Sequence, residues 1–344
     1  MFSGFFIFIF LKKCYYTIKY NIWKGMYMLL NELLGIKYPV IQGAMANISD
    51  GKFAASVSNA GGLGIIAAGG WDVNKLKEEI RICKSLTNNV FGVNIMLMSP
   101  YVESIVDLVC DEKIAVGTTG AGNPGPYIAK LKAAGCKVFP VVASAILAKR
   151  MERYQIDGII AEGTESGGHV GEATTMTLIP QVVEAVKVPV IAAGGIATGK
   201  QFNASLSLGA IGVQVGTIML ATEECPIHDN YKNAVVKAKD NDTIVTGRSL
   251  GAPVRILKNE MAKHYIELER LATDRMELEK ITIGGLKKAV IDGDIQMGSV
   301  MLGQTAGIIK EIKPVAKVLE DLMKEAFDEQ KQLNAKLDKL KLVI

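Results

Sequence analysis

Three histidines occur in the 344-residue chain, His169, His228 and His264, and one of them stands where an imidazole can do chemistry. His169 lies in Glu165-Ser166-Gly167-Gly168-His169-Val170-Gly171, a glycine-rich stretch just after the apolar run 158–163, which ends in Glu162-Gly163. Imidazole titrates near neutrality, so at the end of a buried strand it can give or take a proton at a reacting centre. His264 falls within a helical pattern and reads as a surface or packing residue, and His228, after Pro226, reads as a loop residue. Glu162 and Glu165 could orient His169, contact a cofactor, or do no more than stabilise a turn. Two other stretches suit a phosphate: Gly194-Gly195 and Gln214-Val215-Gly216-Thr217. Glycine lets backbone N–H groups approach an anion closely, most of all ahead of a helix N-terminus. Tight turns need glycine too, so the weight lies in where the two stretches fall along the chain.

That placement depends on the elements. From Pro39 onward a short β-branched run is followed by glycine or a small polar residue and then by a helical stretch. The pattern predicts strands over 39–45, 63–69, 90–97, 115–121, 137–143, 158–163, 189–195 and 210–217. Most are apolar on both faces, as strands between a barrel interior and a ring of helices must be. Helices are expected over 51–60 with Asp50 as cap, and over 72–86 with Val73, Leu76, Ile80 and Cys83 at helical spacing. Others are expected over 101–112, 125–134, 144–155, 175–187 and 199–208. Eight alternating βα units point to a (β/α)8 TIM barrel within the α/β class. An open doubly wound sheet is disfavoured, because Gln42-Gly43-Ala44-Met45 ends the first strand where a G-x-G-x-x-G turn would be needed.

In a barrel the chemistry sits on the loops after the strands. Gly43, Ala44 and Met45 then follow strand 1, Asn94 lies in strand 3, and Thr118-Thr119-Gly120 ends strand 4. His169 follows strand 6, and the glycine stretches at 194 and 216 follow strands 7 and 8, the usual phosphate position in barrels. Met45 and Met96, near strand ends, are either core filler or contacts for a flat ring.

Composition narrows the remaining choices. A chain that is 49% hydrophobic with 35 glycines suits a folded α/β enzyme and not a disordered protein. Five scattered cysteines (Cys14, Cys83, Cys110, Cys136, Cys225) include no C-x-x-C pair. They read as free thiols in a reducing cytoplasm, and no metal site is expected. The net charge of +4 comes wholly from Lys12, Lys13, Lys19 and Lys24; beyond residue 27 the 35 basic residues match the 35 acids. No basic patch argues for nucleic acid. Residues 1–27 also hold ten of the 22 aromatic residues. Their apolar run, Phe2 to Leu11, is about half of what a membrane-spanning helix needs, and its lysines follow the run where a signal peptide has them before it. An interfacial anchor or a signal peptide is the alternative, but this composition is what AT-rich codons yield, so the segment is expected to be translated from upstream non-coding sequence, with the protein proper starting near Met28. Residues 28–222 would form the barrel. The rhythm breaks after 222: residues 223–300, with a helical stretch over 255–279, are expected to be an inserted lid or substrate domain. Residues 301–344 should return to the barrel, with an amphipathic helix over 314–342.

With these residues in view the sequence resembles the FMN-dependent enoyl-acyl-carrier-protein reductases of the FabK type, within the wider nitronate monooxygenase-like superfamily. The likeness runs from about Met28 to the C-terminal helix. E-x-G-G-H-x-G and A-A-G-G-I belong to the superfamily at large; GVNIMLMSPYV (92–102), TTGAGNP (118–124), TTMTLIPQV (174–182) and GSVMLGQTAG (298–307) are similar to the reductase branch. Ser166 stands where alanine is common. The resemblance implies reduction of a trans-2-enoyl thioester carried by acyl carrier protein in bacterial type II fatty acid synthesis. FMN would be the cofactor, NADH or NADPH the co-substrate, and a monovalent cation an accessory. It implies that His169 donates a proton or stabilises the enolate. It also implies that Gly43, Ala44, Met45, Asn94, Thr118, Glu162, Gly168, Gly194, Gly195, Gln214, Gly216 and Thr217 surround the cofactor. A cytoplasmic homodimer with no stable membrane insertion belongs to the same expectation. The rival within the superfamily is a nitronate monooxygenase using the same cofactor and the same histidine with oxygen as acceptor. A flavin-binding protein without turnover is the rival outside it.

Overall fold

The computed structural model describes residues 28–272 and 274–341. The upstream-translation reading of residues 1–27 and the last residue of the helix expected over 314–342 lie outside the described residues.

In chain order the strands are β1 (Val40–Gln42), β2 (Gly64–Ala67), β3 (Phe91–Met96), β4 (Val116–Gly120), β5 (Lys137–Val142) and β6 (Ile159–Glu162). There follow β7 (Gly168–His169), β8 (Val190–Ala193), β9 (Val213–Val215), β10 (Thr243–Thr246) and β11 (Val254–Leu257). Eight of them form one parallel sheet in the order β2, β3, β4, β5, β6, β8, β9, β1. The sheet closes on itself. Leu63 N–H donates to the Val40 carbonyl and Gln42 N–H to the Leu63 carbonyl, each at 2.9 Å, with Ile41 and Leu63 in parallel register. All eight expected barrel strands are present, each trimmed by a few residues at its ends. A helix follows each of β1 to β5, β8 and β9, and one spanning Thr175–Ala185 lies between β6 and β8. The expected cap holds, Asp50 accepting from Phe53 N–H at 2.8 Å, and Asp72 also proves to be a cap, accepting from Lys75 N–H at 2.9 Å.

Two apolar layers account for the closure. Ile41, Leu63, Ile65, Val116, Phe139, Ile160 and Ile191 fill the barrel, plugged at the N-terminal end by Leu30 and Leu34 of a short helix, Leu30–Leu34. The alternate residues, including Val40, Ile66, Val93, Ile95, Val138 and Val213, pack outward against the helices. Each such side chain, fully buried, contributes roughly 1.5–3 kcal/mol, which is why these strands read as continuous apolar runs.

A second sheet of three antiparallel strands, β10-β11-β7, stands apart from the barrel strands. It corrects the helix expected over 255–279. Val254-Arg255-Ile256-Leu257 is a strand, paired on one side with β10 and on the other with Gly168-His169. Helix begins at Glu260, capped by Asn259, stops at Arg270 and resumes as Arg275–Thr282 under an Asp274 cap. Ile256 is buried in a small core with Met261, Ala262, Tyr265 and Leu278, and that packing overrides the local helical pattern. The stretch Gly168-His169, read as plain loop, is the third strand of this sheet. The last helix, Val315–Lys341, returns to the barrel: Glu325 accepts from Gly199 N–H at 2.8 Å and the Ala326 carbonyl from Asn203 at 2.7 Å.

Candidate active site

Strand alternation places the polar side chains. Asn94, Thr118, Glu162 and Gln214 fall on the strand positions that alternate with the outward residues Val93, Gly117, Ala161 and Val213, and so share the inward parity of Ile41, Val116, Phe139, Ile160 and Ile191. Register levels them. Asn94 pairs with Thr118, and Glu162 pairs with Ala193, which in turn pairs with Gln214. The barrel interior is therefore apolar through most of its depth and polar at the C-terminal mouth. Asn94 Nδ2 donates to Thr118 Oγ1 at 2.9 Å. Thr119 points the other way, its hydroxyl oxygen buried with no hydrogen-bond partner among the described residues. The Glu162 carboxyl is ringed by protein, although part of the residue's surface is reachable from the mouth. Burial raises its pKa to about 7, and the nearby Ser166 hydroxyl offsets a little of that rise.

The glycine loops close over this layer. Gly43 N–H donates to the Val215 carbonyl at 2.8 Å, joining the ends of β1 and β9. Ala44 touches the inner cluster, whereas Met45 packs against the outer one and sends its N–H to Ser49 Oγ at 3.0 Å. Gly194 and Gly195 have φ of +85° and +74°, backbone that L side chains rarely adopt. A Cβ on Gly194 would also lie 2.7 Å from the Gly163 carbonyl. A Cβ on Gly120 or Gly216 would meet nothing within 4 Å, so both border open space at the mouth. Thr217 begins a short helix, and its hydroxyl accepts from Gly303 N–H at 2.9 Å.

His169 is exposed and presented by β7, its neighbour Gly168 buried at φ +80°. Its register partner is Val254, and its imidazole makes no hydrogen bond or ion pair among the described residues. Glu165 does not orient it. Both Glu165 carboxylate oxygens accept from Thr175 N–H, at 2.9 and 3.0 Å, and Thr175 Oγ1 donates to Oε2 at 3.0 Å. This carboxylate caps the helix Thr175–Ala185. His228 caps another helix, its Nδ1 accepting from Asn230 N–H at 3.0 Å, and His264 is exposed on the helix Glu260–Arg270.

Sequence reasoning missed a further wall. The segment Val300–Gln304 links the end of β11 to the start of the His169 loop: Leu257 N–H donates to the Val300 carbonyl and Gln304 N–H to the Glu165 carbonyl. Buried Tyr231 donates its hydroxyl to the Met301 carbonyl at 2.9 Å. GSVMLGQTAG had stood out only by resemblance, since an irregular segment has no periodicity to read. No group of three His, Cys, Asp or Glu side chains able to hold a metal ion occurs among the described residues. No helix among them is long and apolar enough to cross a membrane.

Comparison with known proteins agrees with this architecture. FabK from Thermotoga maritima superposes with a TM-score of 0.87 at 45% identity, over 89% of this chain and 98% of that one. A (3aS,4S,5R,7aS)-5-hydroxy-7a-methyl-1-oxo-octahydro-1H-indene-4-carboxyl-CoA dehydrogenase of Rhodococcus jostii is 37% identical over 232 residues, 67% of this chain and 66% of that protein, so the match spans just under two thirds of that relative. A probable nitronate monooxygenase of Staphylococcus aureus is 31% identical over 80% of this chain and 91% of that one. The family model for nitronate monooxygenase matches residues 28–105 and 100–325. With its eight-stranded barrel and its relatives thus in hand, the chain belongs to the nitronate monooxygenase family of oxidoreductases.

Proposed function

We propose that this protein reduces trans-2-enoyl thioesters on acyl carrier protein to acyl thioesters, within bacterial type II fatty acid synthesis, using FMN and NADH or NADPH. Two observations support the reading: Asn94, Thr118, Glu162 and Gln214 face inward at the barrel mouth, and exposed His169, on the segment that follows β6, has no hydrogen-bond or ion-pair partner among the described residues. Open space at Gly120 and Gly216 and the turn at Gly194-Gly195 fit a flat, phosphate-bearing group. Asn94, Thr118, Glu162 and Gln214 would contact its ring system, Gly43, Ala44, Met45 and Gly168 would flank it, and backbone at Gly194, Gly195, Gly216 and Thr217 would hold its phosphate. FMN held there and reduced by NADH or NADPH would supply the hydride for the β-carbon of the enoyl thioester. Negative charge then builds on the thioester oxygen, and His169 stabilises it or delivers a proton to the α-carbon. The FabK match over 98% of that chain supports the thioester reading, as does the relative named for a carboxyl-CoA substrate. Residues 223–300 would serve as the substrate lid, and the reading carries with it a cytoplasmic homodimer and an accessory monovalent cation to which no ligands are assigned.

The named nitronate monooxygenase relative favours one alternative, oxidation of alkyl nitronates with oxygen at the same site. Purified FMN-loaded protein separates the two. NADH consumption that requires an enoyl thioester supports the reductase, and nitronate turnover in air without NADH sinks it.

A further inference from the structure

Arg255 lies in β11, 7% exposed, and among the described residues no carboxylate comes within ion-pair distance of its guanidinium. Burial first, and the like charge of Arg248 second, lower its pKa, while the charge of Glu165 acts the other way. Glu165 itself is committed to Thr175. An unpaired buried cation is costly, and an apolar side chain in its place would serve stability better. Its contacts show what the guanidinium is used for. Nε donates to the Thr164 carbonyl at 3.1 Å, at the root of the His169 loop, and Nη1 donates to Thr243 Oγ1 on β10 at 3.3 Å. Between those two anchors Arg255 sits in register with Gly168, and Val254 with His169; Val170 N–H donates to the Pro253 carbonyl at 3.1 Å. A planar fork with several donors can fix two acceptors at once, which a lysine ammonium does less well.

We infer that Arg255 is the positioning residue for His169, tying the loop after β6 to the β10–β11 hairpin so that the imidazole is held at the barrel mouth. The inference rests on the reading of His169 as the proton-handling group. The substitution Arg255→Met fills the volume without the fork, and Arg255→Ala leaves space for an added guanidinium ion. The first measurement is the imidazole NMR spectrum of the FMN-free protein, in which three histidines give three assignable signals. Arg255→Met is expected to shift or broaden the His169 signal, to leave those of His228 and His264 in place, and to leave the melting temperature no lower than wild type. The second is the pair of half-reactions of the FMN-loaded protein. Bleaching by NADH should stay within about threefold of wild type, while reoxidation by an enoyl thioester slows by about 30-fold or more, and added guanidinium should restore much of that loss in Arg255→Ala. An unmoved His169 signal, reoxidation within about threefold of wild type, or equal slowing of both half-reactions with a lowered melting temperature overturns the inference. Wild-type protein that is not reoxidised by any enoyl thioester overturns the proposed reaction instead, and the His169 signal then decides the role of Arg255 alone.

Discussion

Asn94 on β3 donates its side-chain amide to the hydroxyl of Thr118 on β4, 2.9 Å away across neighbouring strands at the mouth of the barrel. The bond fixes which way the amide of Asn94 faces, leaving its remaining donor and acceptor capacity for a ligand. Replacing Thr118 by valine keeps the shape and removes the acceptor. The expected outcome is a folded protein destabilised by about 1 kcal/mol, with FMN affinity lowered by about tenfold. Fluorescence titration with FMN and a urea melt measure both; unchanged FMN affinity would remove Asn94 and Thr118 from the proposed cofactor contacts.

His169→Ala separates binding from chemistry. The imidazole has no protein partner among the described residues and is exposed, so its loss should leave folding and FMN retention as they are. Enoyl thioester reduction is expected to fall by about 10²–10⁴-fold, the range for loss of a general acid. Steady-state assay beside the absorbance spectrum of the bound flavin checks it. Full activity in the variant excludes a proton role for His169.

Much of this was legible in the sequence because the physics behind it is local. Barrel strands buried on both faces leave apolar runs ended by glycine, and Asp50 announces its helix by capping it. Which way Asn94, Thr118, Glu162 and Gln214 face is not marked in runs that are apolar on both sides, and these residues entered together as cofactor contacts only through the family resemblance. What escaped is non-local. β7 is two residues long and exists only because Val254-Arg255 lies beside it. The strand Val254–Leu257 merges into a helical pattern, and only the Asn259 cap marks the break between them. Glu165 caps a helix ten residues further on, a distance at which no capping-box spacing is visible.

Glu162 gives the site a pH signature independent of catalysis. Burial raises its carboxyl to about 7 in the folded protein, against about 4.3 in an unfolded chain. The folded state therefore holds this proton more tightly. The stabilisation is fully present below the unfolded value and is lost as pH rises through about 7. FMN-free protein is expected to become less stable from about pH 5 to pH 8, this one group accounting for up to about 3 kcal/mol. Glu162→Gln should flatten that dependence. Urea denaturation at both pH values tests it, and an identical slope in the variant means that Glu162 titrates normally.

Glu165 should behave as a cap and nothing more. Its carboxylate holds the N–H and hydroxyl of Thr175 at the start of the helix Thr175–Ala185. Glu165→Ala is expected to cost about 1–2 kcal/mol, the usual price of a lost helix cap. In protein kept folded, the rate of enoyl reduction at saturating substrate should change little. A large loss of rate at unchanged stability would move Glu165 from the frame into the chemistry.

Gly194 and Gly216 look alike in the sequence and differ in what surrounds them. At Gly194 the backbone has φ +85° and a Cβ would lie 2.7 Å from the Gly163 carbonyl, an atom that cannot swing aside. Alanine there is expected to destabilise the protein by about 2 kcal/mol or more, whether or not a ligand is bound. At Gly216 φ is −117°, ordinary for any residue, and a Cβ would meet nothing within 4 Å. Nothing in the fold requires glycine at 216, so a requirement for it must come from what occupies the open space. Gly216→Ala should therefore melt within about 2 °C of wild type without ligand, a change under about 0.5 kcal/mol. FMN affinity should nonetheless fall by about tenfold or more, because the added methyl intrudes where backbone is proposed to meet the phosphate. Thermal melts of the FMN-free variants and FMN titration of Gly216→Ala give the comparison. Wild-type affinity in Gly216→Ala would place the phosphate elsewhere on the barrel.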